Sequence, residues 1–296
     1  MPLITKKSFI DLITQLNTIA FSTDIDKQNH YVGMGEPNSD LLLIGNEMAL
    51  DSSSAVDKVI FNHECTFNIN HWYDIYTSHI HLTNALDPSL LGRIAPLTGF
   101  NPHNPLLFSL TRTKVFKSSV SGHTYSGMER LIDKVEKTYG FTQTNIKETI
   151  NWDKCSFSKF FITELNINPS KTSSTSKFNV KNFVGTNKTS TPSERYNFMN
   201  KGDLDFYKSF KTVIIYAGSK LNYVGKIASI EREKIIQIFN PALNHGHHHI
   251  IILPPHVNPN YIEYYDCGEG SRVILSRHFS SGFSNSYAHE LAKLIR

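Results

Sequence analysis

Four short apolar runs constrain this chain more than any other feature. They are Leu41-Leu42-Leu43-Ile44, Phe160-Phe161-Ile162-Thr163, Val213-Ile214-Ile215 and His249-Ile250-Ile251-Ile252-Leu253. Within them apolar side chains do not alternate with polar ones, so each reads as a strand buried on both faces. Segments with helical spacing lie around them. Phe9, Leu12, Ile13, Leu16 and Ile19 precede the first run, and Met128, Leu131, Ile132 and Val135 precede the second. Residues 193–210, 226–239 and 284–295 read as further helices, and 273–275 as an added edge strand. Strands alternating with helices imply a mostly parallel sheet covered on both sides. The expected fold is a three-layer α/β/α sandwich around a central four-stranded sheet. It forms a single domain over residues 1–296, with insertions near 52–120 and 169–192.

Composition narrows the class. A hydrophobic fraction of 40% supports a core and argues against wholesale disorder. The formal charge of +4 is too small to specify a nucleic-acid partner, but its distribution is uneven. Residues 169–195 hold Lys171, Lys177, Lys181, Lys188 and Arg195 against Glu194 alone, so this Ser/Thr-rich stretch matches the net charge of the whole chain. Cys65, Cys155 and Cys267 form no CxxC pair, which fits reduced thiols in a cytoplasmic protein. No apolar run is long enough for a membrane span.

Several common chemistries are absent as motifs. Gly33-Met34-Gly35 precedes a strand, whereas a dinucleotide fingerprint follows one and opens a helix. Neither a phosphate-binding P-loop nor a nucleophile elbow is present. His63, Cys65 and His71 lack a second ligand pair at a standard interval, and the consecutive His247, His248 and His249 of a strand cannot converge on one ion. No metal site and no cofactor are expected.

Strand ends carry the candidate chemistry, because ligands of open α/β sheets bind past the carboxyl ends of strands. After the first run come Gly45, Asn46 and Glu47, a carboxamide beside a carboxylate suited to orienting water, or an ordinary turn with Asn46 as a cap. The block Gly33-Met34-Gly35-Glu36-Pro37-Asn38-Ser39-Asp40-Leu41-Leu42-Leu43-Ile44-Gly45-Asn46-Glu47 resembles motif 1 of the uracil-DNA glycosylase superfamily, written GQDPYH, GMNPG, GINPG or GEAPG in its families. Glu47 falls on the Asp or Asn of the first three patterns and Asn46 on the Glu of the last; Met48 and Ala49 replace the usual Pro and Gly. After the fourth run, His256-Val257-Asn258-Pro259 resembles the family's HPS motif, with Val257 for Pro and Asn258 for Ser.

The resemblance implies hydrolysis of an N-glycosidic bond in DNA, which leaves an abasic site. Glu47, with Asn46, would stabilise the cationic sugar and orient water, and His256 would donate to the departing base. The extruded base would stack on Phe61, Phe67 or Trp72, with Asn258 lining the pocket, although for any one of these aromatics a core position is the simpler reading. Lys171, Lys177, Lys181 and Lys188 would meet DNA phosphates. In uracil-excising relatives an Asn after the second strand reads the base; Glu164 occupies that slot here. An ionised carboxylate only accepts hydrogen bonds, so it suits the N4 amino group of cytosine and mismatches O4 of uracil. Otherwise Glu164 is off by one residue or pairs with a lysine of the next loop. The superfamily's phage-defence members, which excise glycosylated hydroxymethylcytosine, make a modified cytosine the favoured base and uracil the second. A non-catalytic nucleic-acid-binding member and a metal-dependent hydrolase using the fourteen histidines are the competing classes. A monomer is expected.

Overall fold

The structure, a computed structural model, describes residues 4–21, 27, 29–49, 66–77, 134, 160–170, 192–200, 205–216, 230–239, 248–257, 261–267, 270–276 and 284–296. The strands are β1 (Met34–Gly35), β2 (Leu41–Ala49), β3 (Phe161–Ser170), β4 (Thr212–Ile215), β5 (His248–Ile252), β6 (Tyr261–Asp266) and β7 (Arg272–Leu275). The helices are α1 (Lys7–Asn17), α2 (Asn68–Thr77), α3 (Pro192–Met199), α4 (Ile230–Phe239) and α5 (Asn285–Ala292), with a 3-10 turn at Tyr207–Ser209. Among the described residues no helix is long and apolar enough to cross a membrane.

The protein is an α/β fold built on one seven-stranded mixed sheet of order β1-β3-β2-β4-β7-β6-β5. Its centre, β3-β2-β4-β7, is parallel throughout. Continuous apolar runs sit there because every side chain is covered: Leu42, Leu43 and Ile44 have no exposed surface, and Val213, Ile214, Ile215, Val273 and Ile274 are equally deep. Alternate residues divide between two faces. Leu42, Ile44, Phe161, Val213, Ile215, Val273 and Leu275 join one cluster with Phe9, Leu12, Ile13 and Leu16 of α1 and Ile235, Ile236 and Ile238 of α4. Leu43, Ile214 and Ile274 point the other way, towards α5, where Tyr287 Oη lies 3.5 Å from Ser276 Oγ.

The expected four-stranded sheet needs correcting. The run at 249–253 is not the fourth parallel strand; it is the outer strand β5, paired antiparallel with β6. β6 in turn pairs antiparallel with β7, and β7, expected only as an edge strand, takes the fourth parallel place beside β4. A short apolar run looks alike whether it is buried on both faces or lies in a hairpin, and strands close in sequence pair locally. Helix α2 lies within the stretch expected as the first insertion, and α3 stops at Met199 where a helix to 210 was expected. The helical stripe at 128–135 lies outside the described residues apart from Lys134.

One buried backbone stretch lacks a full strand partner. Tyr31, Val32 and Gly33 lead into the two-residue strand β1, and Tyr31 and Val32 have no exposed surface. Side chains serve their polar groups instead. Asn68 Oδ1 accepts from Val32 N–H at 3.0 Å and Gly33 N–H at 3.4 Å, while Asn68 Nδ2 and Trp72 Nε1 donate to the Gly33 carbonyl at 3.0 and 2.8 Å. Tyr207 Oη donates to the Val32 carbonyl at 2.8 Å, and Arg195 donates to that of Tyr31. Gly33 must be glycine: its φ is +135°, and a Cβ would lie 2.4 Å from the Ile162 carbonyl oxygen.

Asn68→Ala should therefore strand buried backbone donors and lower unfolding stability by about 1–3 kcal/mol. Asn70→Ala, on the exposed side of the same helix, should stay within about 0.5 kcal/mol. Urea unfolding of both variants checks this; equal effects would show that the Asn68 carboxamide is dispensable.

Candidate functional site

The parallel strands define where a site can form. From β2 the chain moves to β3 on one side and later to β4 on the other, so the strand order reverses at β2. The carboxyl end of β2, between β3 and β4, is the switch point at which open α/β sheets bind ligands. Gly45, Asn46 and Glu47 occupy that end.

Their conformation differs from the expected turn. β2 does not stop at Gly45 but stays extended to Ala49, paired with β3 through Gly45↔Glu164, Glu47↔Asn166 and Ala49↔Ser170, with a bulge between Glu47 and Ala49. β4 ends at Ile215, and Tyr216 N–H closes the ladder on the Ile44 carbonyl at 2.9 Å. The β2–β3 pair thus runs on as a two-stranded ribbon past the rest of the parallel block. The first half of the motif-like block sits elsewhere. Glu36 and Asn38 lie at the amino end of β2, where Asn38 Oδ1 accepts from Thr5 and Lys6 N–H at 2.8 and 2.9 Å. Five residues of strand, about 16 Å, separate Asp40 from Gly45.

Glu164 is the best-defined polar group at this end. It is 9% exposed, and its carboxyl group occupies the space beside Gly45 where a side chain would begin. An ideal Cβ on residue 45 would sit 2.1 Å from Glu164 Oε2 and 2.7 Å from Oε1. Gly45 is therefore glycine for space, because the carboxylate takes the volume of its missing side chain. From the other side, Arg195 Nε donates to the Glu164 carbonyl at 2.9 Å.

Arg195, counted in the sequence with the charge of residues 169–195, is a structural residue with no exposed surface. Its guanidinium donates to the Tyr31 carbonyl at 2.5 Å and to Thr163 Oγ1 at 2.6 Å, and lies 5.2 Å from the Phe198 ring centroid. Burial pushes the Tyr207 hydroxyl above its ordinary pKa, while the nearby Arg195 charge works the other way. The only sequence signal was an Arg in the first turn of a helix, where cations oppose the dipole and so need another reason to be there.

The other expected site residues scatter. Trp72 is fully buried, stacked edge-on to Phe9 at 4.9 Å and hydrogen-bonded to Gly33, so it is a core residue and not a free platform for a base. Phe67 is 40% exposed beside the amino end of α2 and packs edge-on to His71. His256 is exposed in the turn after β5, where Val257 N–H meets the Pro254 carbonyl at 2.9 Å. It is at the same end of the sheet as Glu47 but four strands away, about 19 Å along the sheet. Glu164 does not follow its strand as expected but lies within β3, which continues to Ser170, and pairs with Gly45 in the middle of β2, while His256 lies at the far edge. Phe61, Asn258, Lys171, Lys177, Lys181 and Lys188 lie outside the described residues. The loop holding those four lysines leaves from the end of β3 at Ser170 and returns at Pro192, three residues before Arg195 meets Glu164.

Among the described residues no group of three His, Cys, Asp or Glu side chains is placed to hold a metal ion. Comparison with family models, with curated proteins and with solved structures finds no match to this chain.

The packing of Glu164 on Gly45 is testable by a double-mutant cycle. Gly45→Ala should cost about 1–3 kcal/mol by overpacking, and most of that cost should vanish in a Glu164→Ala background. Additive effects on urea unfolding would show that the two residues do not share this space.

Proposed function

We propose that this protein is a DNA glycosylase, with a uracil-DNA glycosylase-like three-layer sandwich, that removes a modified cytosine from DNA and leaves an abasic site. The observation that carries the reading is the buried carboxylate of Glu164 set over Gly45 at the point where the strand order reverses. A base entering that crevice meets an acceptor, which matches an N4 amino group and not an O4 carbonyl. Glu47, whose backbone lies two residues further along the same strand, would face the sugar, where a carboxylate stabilises positive charge and orients water. The lysines between Ser170 and Pro192 follow β3 in the sequence and would hold phosphates. This hydrolysis needs no cofactor. Glucosylated hydroxymethylcytosine, as found in phage DNA, is the favoured base and uracil the second.

The role of a histidine on the departing base has two candidates. His256 follows β5 at the far edge. β7 is the fourth strand of the parallel block, and the sequence after it reads Ser276-Arg277-His278-Phe279-Ser280. That repeats the His-x-Ser order of the second motif, where His256 is followed by Val257 and Asn258. His278 is therefore the stronger candidate.

Single-turnover excision from matched oligonucleotides with uracil, hydroxymethylcytosine or glucosylated hydroxymethylcytosine, read as alkali-labile sites, tests the proposal. Wild type should prefer a cytosine derivative. Glu164→Asn should lose that preference by roughly five- to a hundredfold and move towards uracil. Absence of any alkali-labile product sinks the glycosylase reading; preference for uracil sinks only the base assignment.

The same assay ranks the remaining side chains. Glu47→Gln should slow base release by ~10² to 10³ without weakening DNA binding. His278→Ala should slow it far more than His256→Ala, and the reverse order would return the second motif to 256–258.

A further inference from the structure

The outer strand β5 stands apart from the rest of the sheet. Among the described residues it pairs with β6 alone, and no strand lies beyond it. Both its faces are open: His248, His249, Ile250 and Ile252 are exposed and Ile251 is half-buried. Four large apolar side chains are exposed among the described residues, and two of them, Ile250 at 42% and Ile252 at 73%, are neighbours on one face of this strand. A single exposed isoleucine carries no message, but two together at an open edge do.

Natural edge strands are guarded by lysines, prolines, inward-pointing charges or bulges. β5 has none of these. Its sequence contains no Lys, Arg, Asp or Glu, and its register with β6 is regular at all five positions. Its histidines do not screen the edge, because both are turned inwards to β6. His248 stacks on Tyr265 at 4.6 Å with Nε2 2.6 Å from Glu263 Oε1; His249 stacks on Tyr264 at 4.7 Å with Nε2 3.5 Å from Asp266 Oδ2.

We propose that β5 is a self-association edge, pairing antiparallel with β5 of a second copy about a two-fold axis through Ile251. The strand is self-complementary in that register. Ile250 of one copy lies opposite Ile252 of the other, twice, so four isoleucines meet on one face and Ile251 meets its own copy. His249 falls opposite Leu253, which keeps imidazoles from facing each other, and a strand without Lys, Arg, Asp or Glu brings none of those charges against its own copy. An unrelated extended peptide has no such reason to fit. The same arithmetic limits the strength. A five-residue strand pair covers less than the roughly 1,200–2,000 Å² of a stable specific interface, so the dimer forms reversibly and only at high concentration.

Sedimentation velocity of the full chain over roughly a hundredfold range of concentration tests this. Wild type should shift from monomer to dimer, and Ile252→Lys, changed at a side chain that is already mostly in solvent, should remain monomeric with an unchanged circular dichroism spectrum. The register has its own readout. Cα atoms across an antiparallel pair are about 4.5–5.5 Å apart, within disulfide range, so Ile251→Cys should cross-link to itself on oxidation well above the background of the unsubstituted protein. Wild type that stays monomeric throughout overturns the proposal. So does a dimer that survives Ile252→Lys, or one in which Ile251→Cys fails to cross-link, since either places the contact on another surface.

Discussion

The fold depends on giving partners to a buried stretch of backbone that the sheet does not complete. β1 is only two residues long, yet the chain enters it through Tyr31 and Val32, both out of contact with water. Unpaired peptide groups there would cost as much as the core gains from several side chains. The solution draws on three separate segments: Asn68 and Trp72 from α2, Arg195 from α3 and Tyr207 from the 3-10 turn. These residues are far apart in sequence and meet only around that stretch. The same contacts join the edge of the sheet to the helices that cover it, so the packing of one face and the backbone's hydrogen bonding are a single problem.

Arg195 shows how such a solution reaches the candidate site. A guanidinium offers several donors in a rigid plane, which lets one side chain satisfy acceptors on two segments at once. Here it spans Tyr31 and Thr163–Glu164 within β3. Lysine, with a single flexible ammonium, does not reproduce that span. The position of Glu164 is thus tied to the part of the chain that leads into β1, although the two are more than a hundred residues apart.

What the sequence made legible follows from this. Runs buried on both faces announce themselves, so β2, β3 and β4 stand where their apolar residues put them, and Phe9, Leu12, Ile13 and Leu16 of the α1 stripe are buried as their spacing implied, whereas Ile19 falls past the helix end and is exposed. The swap of roles between β5 and β7 was not legible, because a run of isoleucines is compatible with either a central or an outer place, and only pairing decides. Trp72 takes the core position that was its simpler reading, whereas Arg195, counted in the sequence only for its charge, shows its role only through burial and its bonds to backbone carbonyls. Of the candidate site, the strands leading to Gly45 and Glu164 were readable, whereas their continuation to Ala49 and Ser170 was not, since Asn, Glu and Pro rarely favour strands.

The contact between Gly45 and Glu164 has a consequence for how this chain can change over generations. Two residues share one small volume, so they are not free to vary independently. A side chain at 45 is obstructed while Glu164 remains, and becomes admissible only after position 164 has shortened. A lineage altering this contact must take the two steps in that order or cross a destabilised intermediate. Glycine at 45 with glutamate at 164 is thus a matched pair, and among future relatives of this chain the two positions should be found to change together.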